Sequence, residues 1–242
     1  MTTLVVGASG ATGRLVVEKL LADGEAVRII VRSTEYLPNK LKTHPKLSIT
    51  QASLLDLTDK ELQSQVLGCR AIVCCLGHNM TLKGIYGQPR KLVTDAVARL
   101  CTAIERCDKS NHDHTTKFIL MSSSGVQNPQ TNEKVPLSQK IAVKLIRCLV
   151  PPHKDNETAA EYLQSNYPDH QDTIEWVAVR PDSLTNEIKA SAYDVSPTPV
   201  RNVIFDAGAS SRINVAYFIA SLVNQADLWN HWKMRMPVIY NR

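Results

Sequence analysis

The sequence predicts an α/β protein that forms a single domain, residues 1–242, around a doubly wound parallel β-sheet. Apolar runs of strand length alternate with amphipathic runs of helical length along the chain, as they do in proteins whose strands are joined by crossover helices. The early apolar runs show no polar alternation, which is typical of strands buried on both faces of a parallel sheet. A chain of 242 residues is long enough for one large domain.

The first half of the chain contains four predicted strands. The first, TTLVVG, runs into the glycine-rich stretch GASGATG, and the helix that follows ends at Asp23-Gly24. Thr58 and Glu61 form a T-x-x-E capping box, which predicts a helix running to about Val66. The other predicted strands of this half are AVRIIV (26–31), LSITQASL (47–54) and AIVCCLG (71–77).

The second half continues the same alternation. Two further strands are predicted at KFILMSS (117–123) and TIEWVAVR (173–180). The predicted helices cover about 91–107, 137–149, 156–165 and 214–223. We expect irregular insertions at 77–89, 125–136 and 183–199, where glycine and proline interrupt the pattern.

Composition argues against several classes of function. The net charge is +5 and the 28 basic residues are scattered, so no dense basic run indicates nucleic-acid binding. The N-terminus lacks the pattern of a secretory signal, and no apolar run approaches the roughly 18 residues of a membrane span. We therefore expect a cytoplasmic protein without a membrane span.

Cysteine and histidine spacing gives little support for a metal site. The six cysteines lie mostly in apolar segments and form no C-x-x-C pair, so we expect reduced, buried thiols; they are Cys69, Cys74, Cys75, Cys101, Cys107 and Cys148. The stretch Asn111-His112-Asp113-His114 has ligand-type residues, but it lies in a polar connection. No metal is predicted.

The stretch GASGATG lies between a strand and a helix, where a dinucleotide pyrophosphate binds in many α/β proteins. Glycines at this position permit a tight turn, a close approach of backbone to pyrophosphate, and close packing of helix on sheet. The spacing G-x-x-G-x-x-G differs from the commoner G-x-G-x-x-G, and a purely structural turn remains the alternative. The candidate cofactor-binding residues of this turn are Gly7, Ser9, Gly10, Ala11, Thr12 and Gly13.

The end of the second strand indicates which dinucleotide is preferred. NAD-binding proteins place a carboxylate there, whereas this chain has Arg32, with Arg14 just past the last glycine. A guanidinium attracts the 2′-phosphate of NADP, so NADP(H) is favoured over NAD(H), although Arg32 could be merely a solvated strand end. Asp56 and Leu57 would fit an adenine edge, and Leu76-Gly77 would let the cofactor pass close to the backbone.

The chain resembles the atypical short-chain dehydrogenase/reductase family of NAD(P)-binding Rossmann-fold proteins, which includes NmrA-like and biliverdin reductase B-like members. The resemblance covers nearly the whole chain and rests on motifs in the family's order: GASGATG, VRIIVRS, LLDL, CCLG, LMSSSG, WVAVRPDSL and SRINVAYFIASLV. It implies a cofactor at the carboxyl ends of the strands with any substrate over the nicotinamide. It also implies that Ser122 and Pro181 lie along the cofactor.

The same resemblance implies a catalytic serine and a Tyr-x-x-x-Lys pair. Ser123 matches the serine and Lys154 matches the lysine, but Val150 stands where the tyrosine is expected. Lys154 would bind the nicotinamide ribose, unless it is only a solvated lysine, and the serines could simply cap a loop. Other possible proton donors are His153, His78 and Tyr193, and in family members that reduce electron-poor rings the proton can come from water.

Two functions follow from these residues. The first is an NADPH-dependent reductase of a small or planar acceptor, such as a quinone, a flavin or a tetrapyrrole, in which Ser123 and Lys154 position the reactants. The second is a non-catalytic NmrA-like redox sensor that binds NADP(H) and acts through a protein partner. The missing tyrosine favours the sensor, and the short chain favours the reductase.

Overall fold

The computed structural model describes residues 2–78, 87–111, 115–131, 133, 151–168, 173–202 and 206–242, without the side chains of 108–111 and 151. The strands are β1 (Thr2–Val6), β2 (Ala26–Val31), β3 (Leu47–Gln51), β4 (Cys69–Cys74), β5 (Thr116–Met121), β6 (Ile174–Pro181), β7 (Ser183–Thr185), β8 (Tyr193–Ser196), β9 (Ala209–Ser211) and β10 (Val238–Asn241). The helices are α1 (Ala11–Ala22), α2 (Asn39–Lys42), α3 (Asp59–Val66), α4 (Leu92–Asn111), α5 (Pro151–Asn166), α6 (Arg212–Asn224) and α7 (Ala226–Trp232).

Eight strands form one sheet in the order β3-β2-β1-β4-β5-β6-β10-β8. All neighbouring pairs are parallel except β10 and β8, which run antiparallel, while β7 and β9 pair separately. The chain winds outward in both directions from the adjacent strands β1 and β4. A crevice for ligands forms at such a switch point, outside the carboxyl ends of the strands. The predicted doubly wound α/β fold is confirmed.

Helices cover both faces of this sheet. One hydrophobic cluster packs α3, α4 and α5 against one face, and a second packs α1, α6 and α7 against the other. Along β1, Leu4 and Val6 belong to the first cluster and Val5 to the second, because successive side chains of a strand point to opposite faces. Burial on both faces explains why the strand sequences read as continuous apolar runs.

Several predicted element boundaries are confirmed. The capping box opens α3, where the Thr58 hydroxyl oxygen accepts the Glu61 N–H at 3.3 Å and the Glu61 carboxylate accepts the Thr58 N–H at 2.7 Å. Gly24 follows α1 with a φ of +82°, a conformation in which glycine is favoured. The helix predicted from about Lys91 is α4, which begins at Leu92.

Other boundaries differ from the prediction. The expected insertion at 183–199 contains the short strands β7 and β8, and β8 pairs with β10, which the sequence analysis did not predict. Helix α5 begins at Pro151, five residues earlier than expected, since proline is well suited to a first helical turn. The helix predicted at 137–149 lies outside the described residues. Among the described helices, none is long and apolar enough to cross a membrane.

Candidate functional site

The turn after β1 is shaped by contacts that exclude side chains. Gly7 has a φ of +77°, and a Cβ on it would lie 2.4 Å from the carbonyl carbon of Cys75. A Cβ on Gly13 would lie 2.2 Å from the Gly7 carbonyl oxygen. The first contact brings the turn against the segment after β4, and the second brings α1 against the end of β1. Gly7 and Gly13 therefore have the packing role expected from the sequence.

The N-terminus of α1 carries no side-chain cap. Gly10 is the N-cap, no acidic residue lies in the first turn, and Ser9, Gly10 and Ala11 are exposed. Thr12, by contrast, is buried. Uncapped amides at a helix N-terminus provide hydrogen-bond donors and a partial positive charge to an anion. The turn is thus suited to hold a pyrophosphate group.

Arg32 follows the last residue of β2 and its side chain is exposed. No described side chain forms an ion pair with it. The second candidate cation for the 2′-phosphate, Arg14, lies on α1 with its Nε 3.8 Å from the Glu18 carboxylate. Arg32 is therefore free to bind an anionic group at this edge of the sheet.

The segment after β3 is held by an arginine that the sequence analysis missed. Asp56 is exposed and Leu57 is half-buried against the core. Arg99, on α4, donates hydrogen bonds to the carbonyl oxygens of Leu55, at 2.7 Å, and of Leu57. Only the fold brings α4 to this segment, so no local signal marked Arg99.

Leu76 and Gly77 follow β4 at the same edge of the sheet. The Leu76 backbone nitrogen would lie 2.7 Å from a Cβ on Gly7, while a Cβ on Gly77 would have no atom within 4 Å. Leu76 is half-buried and Gly77 is exposed. The segment after β4 thus borders the glycine turn and is open beyond it.

Three serines follow β5 and have different environments. The Ser122 hydroxyl is buried and has no hydrogen-bond partner among the described residues. The Ser123 hydroxyl oxygen accepts the Gly125 N–H at 3.2 Å, and the Ser124 N–H donates to the Pro181 carbonyl oxygen at 2.9 Å. Pro181 itself is buried at the end of β6. The candidate residues Ser122, Ser123 and Pro181 therefore lie where β5 and β6 end side by side.

The first turn of α5 presents Lys154 to solvent and buries its neighbour Asp155. The Asp155 carboxylate accepts the N–H groups of Val93 and Thr94 at the start of α4, at 2.8 and 3.0 Å. It also lies 2.7 Å from His78 Nε2. Asp155 thus fixes the start of α5, and with it Lys154, relative to α4 and to the segment after β4.

His153 lies beside the serines that follow β5. A Cβ on Gly125 would be 3.1 Å from its Cε1 and 3.7 Å from the Ser123 hydroxyl oxygen. On the other side, His153 Nε2 lies 3.3 Å from the Glu157 carboxylate, one helical turn along α5. The fold therefore brings His153 and Ser123 to the same glycine.

A buried arginine joins the segments around the ends of β5 and β6. Arg180 is fully buried and its guanidinium lies 2.8 Å from the Glu133 carboxylate. It also donates to the carbonyl oxygens of Met236, Val126 and Pro197 at 2.7, 2.9 and 3.2 Å. Burial lowers the pKa of Arg180, and Glu133 opposes that shift. The segment WVAVRPDSL was noted in the sequence, but the role of its arginine was not.

Asp182 follows Pro181 and is also buried. Burial raises the pKa of its carboxyl group, while the N–H groups of Gly208 and Ser183, at 3.0 and 2.9 Å, and the Ser124 hydroxyl oppose the shift. These bonds hold the segment before β9 against the end of β6. Asp182 is a second residue of this region that the sequence analysis did not single out.

The described cysteines are buried and form no disulfide with one another; they are Cys69, Cys74, Cys75, Cys101 and Cys107. Burial raises the pKa of Cys69 to about 11 and that of Cys74 to about 12. Cys148, His112, Asp113 and His114 lie outside the described residues. Within the described part of the chain, no group of three His, Cys, Asp or Glu residues is arranged to hold a metal ion.

Comparison with known families assigns the chain. A family model described as NAD(P)H-binding matches residues 7–226, which include the glycine turn, the ends of β5 and β6, and α6. The chain belongs to this NAD(P)H-binding family. The resemblance to NAD(P)-binding Rossmann-fold proteins is thereby confirmed, and the cofactor class is NAD(P)H.

Solved structures share the fold of this NAD(P)H-binding protein at low sequence identity. A short-chain dehydrogenase/reductase from Veillonella parvula, solved with NADP, has a TM-score of 0.70 at 12% identity, covering 99% of this chain and 94% of that one. ChuY, an anaerobillin reductase from Escherichia coli O157:H7, has a TM-score of 0.67 at 16% identity, covering 100% and 97%. The oxidoreductase ylbE from Lactococcus lactis has a TM-score of 0.69 at 18% identity, covering 100% and 91%.

One curated relative is closer in sequence. An uncharacterised chloroplastic protein from Arabidopsis thaliana is 37% identical over 121 residues, which are 49% of this chain and 40% of that protein. The match thus spans less than half the length of that relative. Because the relative is chloroplastic, a cytoplasmic location for this NAD(P)H-binding protein stays a prediction.

Proposed function

We propose that this chain is an NADPH-dependent reductase of a small or planar acceptor, of quinone, flavin or tetrapyrrole type. The observation that carries the proposal is an exposed Arg32, without an ion-pair partner among the described residues, at the end of β2, at the sheet edge where the uncapped N-terminus of α1 also lies. Proteins with this fold include the anaerobillin reductase ChuY, which supports a tetrapyrrole-like acceptor.

The described residues fit the cofactor. The amides at the start of α1, together with Ser9, would hold the pyrophosphate. Arg32 would bind the 2′-phosphate through charge-assisted hydrogen bonds, with Arg14 as a second cation. Asp56 and Leu57 would border the adenine, since Arg99 holds their segment in place. Leu76 and Gly77 would lie along the middle of the dinucleotide.

The ends of β5 and β6 would hold the reacting end. Ser122 has a buried hydroxyl that lacks a partner among the described residues, so a bound ligand could supply one. NADPH supplies a hydride to the acceptor when bound. Ser123 would position the acceptor, Pro181 would border the nicotinamide, and Lys154 would bind the nicotinamide ribose.

The cofactor preference is tested by calorimetry with NADPH and NADH. NADPH should bind more tightly, and Arg32→Ala should remove about 1–3 kcal/mol of NADPH binding free energy, the range for a charge-assisted hydrogen bond. Arg235→Ala is the matched control, because Arg235 is exposed but pairs with Val177 of β6, four strands away from β2. Equal affinity of the unmodified protein for both cofactors would refute this part of the proposal.

The activity is tested by following NADPH oxidation with menadione, FMN and biliverdin. Reduction of at least one of these acceptors supports the proposal. If NADPH binds tightly and none of them is reduced, the reductase proposal fails and the chain is better described as an NADP(H)-binding redox sensor.

A further inference from the structure

The ring of His153 occupies space that a side chain at position 125 would fill. A Cβ on Gly125 would lie 3.1 Å from Cε1 and 3.6 Å from Nδ1 of His153, and 3.7 Å from the Ser123 hydroxyl oxygen. Gly125 does not have the positive φ that would require glycine. The missing side chain therefore leaves room at the end of β5 for the imidazole of His153, and the Ser123 hydroxyl borders the same space.

A carboxylate lies at the other end of the same ring. Glu157 Oε1 is 3.3 Å from His153 Nε2, and the two side chains are only 7% and 13% exposed. An imidazolium has two N–H donors on opposite sides of the ring. Nε2 lies within ion-pair distance of Glu157 Oε1 without hydrogen-bond geometry, and Nδ1 lies on the side of Gly125.

The other candidate donors have less suitable positions. His78 is tied at 2.7 Å to Asp155, whose carboxylate also binds the first amides of α4. Tyr193 lies on β8, and β6 and β10 separate that strand from β5. Lys154 is exposed on α5. Among these four residues, His153 is the one whose ring borders the Cβ position of Gly125.

We propose that His153 is the proton donor of the reductase described above; the inference therefore rests on the proposed function. As hydride from NADPH forms a new bond to the acceptor, the acceptor gains two electrons and becomes an anion. The N–H bond of the His153 imidazolium then breaks and its proton moves, through the Ser123 hydroxyl or directly, to the anionic oxygen or nitrogen. His153 is left neutral and takes a proton from water, so NADPH, one proton and the acceptor yield NADP⁺ and the reduced acceptor.

The groups around His153 determine what a pH profile reports. Among the described residues, Glu157, on the same helix, is the titratable group against the ring, whereas Ser123 and Gly125 on the β5 side are neutral. Two buried carboxylates of the segments around the ends of β5 and β6 are engaged elsewhere, Asp182 with backbone amides and Glu133 with Arg180. The protonation of His153 should therefore control the fall in turnover as the pH rises.

The kinetic test uses His153→Gln with whichever of menadione, FMN or biliverdin the unmodified protein reduces. Turnover at saturating NADPH should fall by roughly 10²–10⁴-fold and lose its pH dependence, because this is the range that a general acid contributes. NADPH affinity measured by calorimetry should be unchanged. Added imidazole should restore part of the turnover. His231→Gln, an exposed histidine on α7, is the matched control.

A second measurement is independent of turnover. With ¹³C-labelled histidine, the NMR signal of the His153 ring, assigned by its absence in His153→Gln, should titrate with the same midpoint as the turnover. Glu157→Gln should move both midpoints equally. The His153 signal should also shift on Ser123→Ala and when the acceptor is added with NADP⁺, whereas the His231 signal should not.

The outcomes separate the two proposals. If no acceptor is reduced, the proposed function fails and the role of His153 fails with it. If the acceptor is reduced but His153→Gln keeps the turnover and pH profile of the unmodified protein, the proton-donor role alone is refuted. His153→Asn replaces His153→Gln in this test if the first variant does not fold. A His153 signal that ignores the acceptor would refute the proton-donor role as well.

Discussion

Replacing Arg180 by methionine should be among the most destabilising single changes in the described part of the chain. Methionine fills much of the same volume but leaves the Glu133 carboxylate, whose side chain is 6% exposed, without its cation. It also removes the donors to three carbonyl oxygens. Breaking a buried ion pair by removing one partner costs about 3–5 kcal/mol, so we expect a loss in this range.

A double-mutant cycle tests this reasoning in urea unfolding experiments. Glu133→Gln removes the stranded charge, so Arg180→Met combined with Glu133→Gln should cost less than the sum of the single changes, by about 1–3 kcal/mol. Arg242→Ala is the control: its ion pair with Asp194 is 65% and 59% exposed, and its loss should cost under about 1 kcal/mol. A loss below about 1 kcal/mol for Arg180→Met, or additive effects in the cycle, would show that the buried pair is not coupled as argued.

Three further predictions concern other contacts. Gly13→Ala should lower the free energy of unfolding by about 1–3 kcal/mol, because its Cβ would meet the Gly7 carbonyl oxygen at 2.2 Å. The control Gly77→Ala, whose Cβ meets no atom within 4 Å, should change that free energy by no more than about 0.5 kcal/mol, and equal losses for the two variants in urea unfolding would contradict this. Asp155→Asn should lower the free energy of unfolding by about 2 kcal/mol, because the buried carboxylate that binds His78 and the α4 amides loses its charge. An unchanged thermal midpoint of unfolding would refute this prediction. Burial lowers the pKa of Lys117 from 10.5 to about 8 in the folded protein, so between these pH values the unfolded state binds more protons than the folded state. As the pH rises through this range, the unmodified protein should gain about 1 kcal/mol of stability relative to Lys117→Met, a value reduced for a half-exposed group. A stability difference that is constant from pH 7 to 10.5 would contradict this prediction.

The fold could be predicted from the sequence because its main elements have local signals. Six apolar runs, the glycine turn and the T-x-x-E capping box each occupy a few consecutive residues. The missed strands have no such signal: β8 reads YDVS and β10 reads VIYN, and each is too short to show a period. Both become strands through pairing: β10 pairs with β6 on one side and with β8 on the other.

The residues of the candidate site also differ in whether a local sequence signal could predict them. Arg32 and the glycine turn could be predicted because each follows a strand directly. Arg99 and Arg180 could not, since their partners lie between 17 and 56 residues away in sequence and only the folded chain brings them together. The contact of His153 with Gly125 belongs to the same class, although His153 was named from its place beside Lys154.

If the chain reduces quinones, as proposed above, its buried thiols affect how it tolerates them. Many quinones are electrophiles that form covalent adducts with thiolates. The thiolate is the reactive form of cysteine, and burial raises the pKa of Cys69, Cys74, Cys75 and Cys101. At physiological pH, these four side chains stay protonated and shielded from solvent. A quinone released into the crevice would therefore find no nucleophile among them, and repeated turnover would not alkylate the protein at these positions.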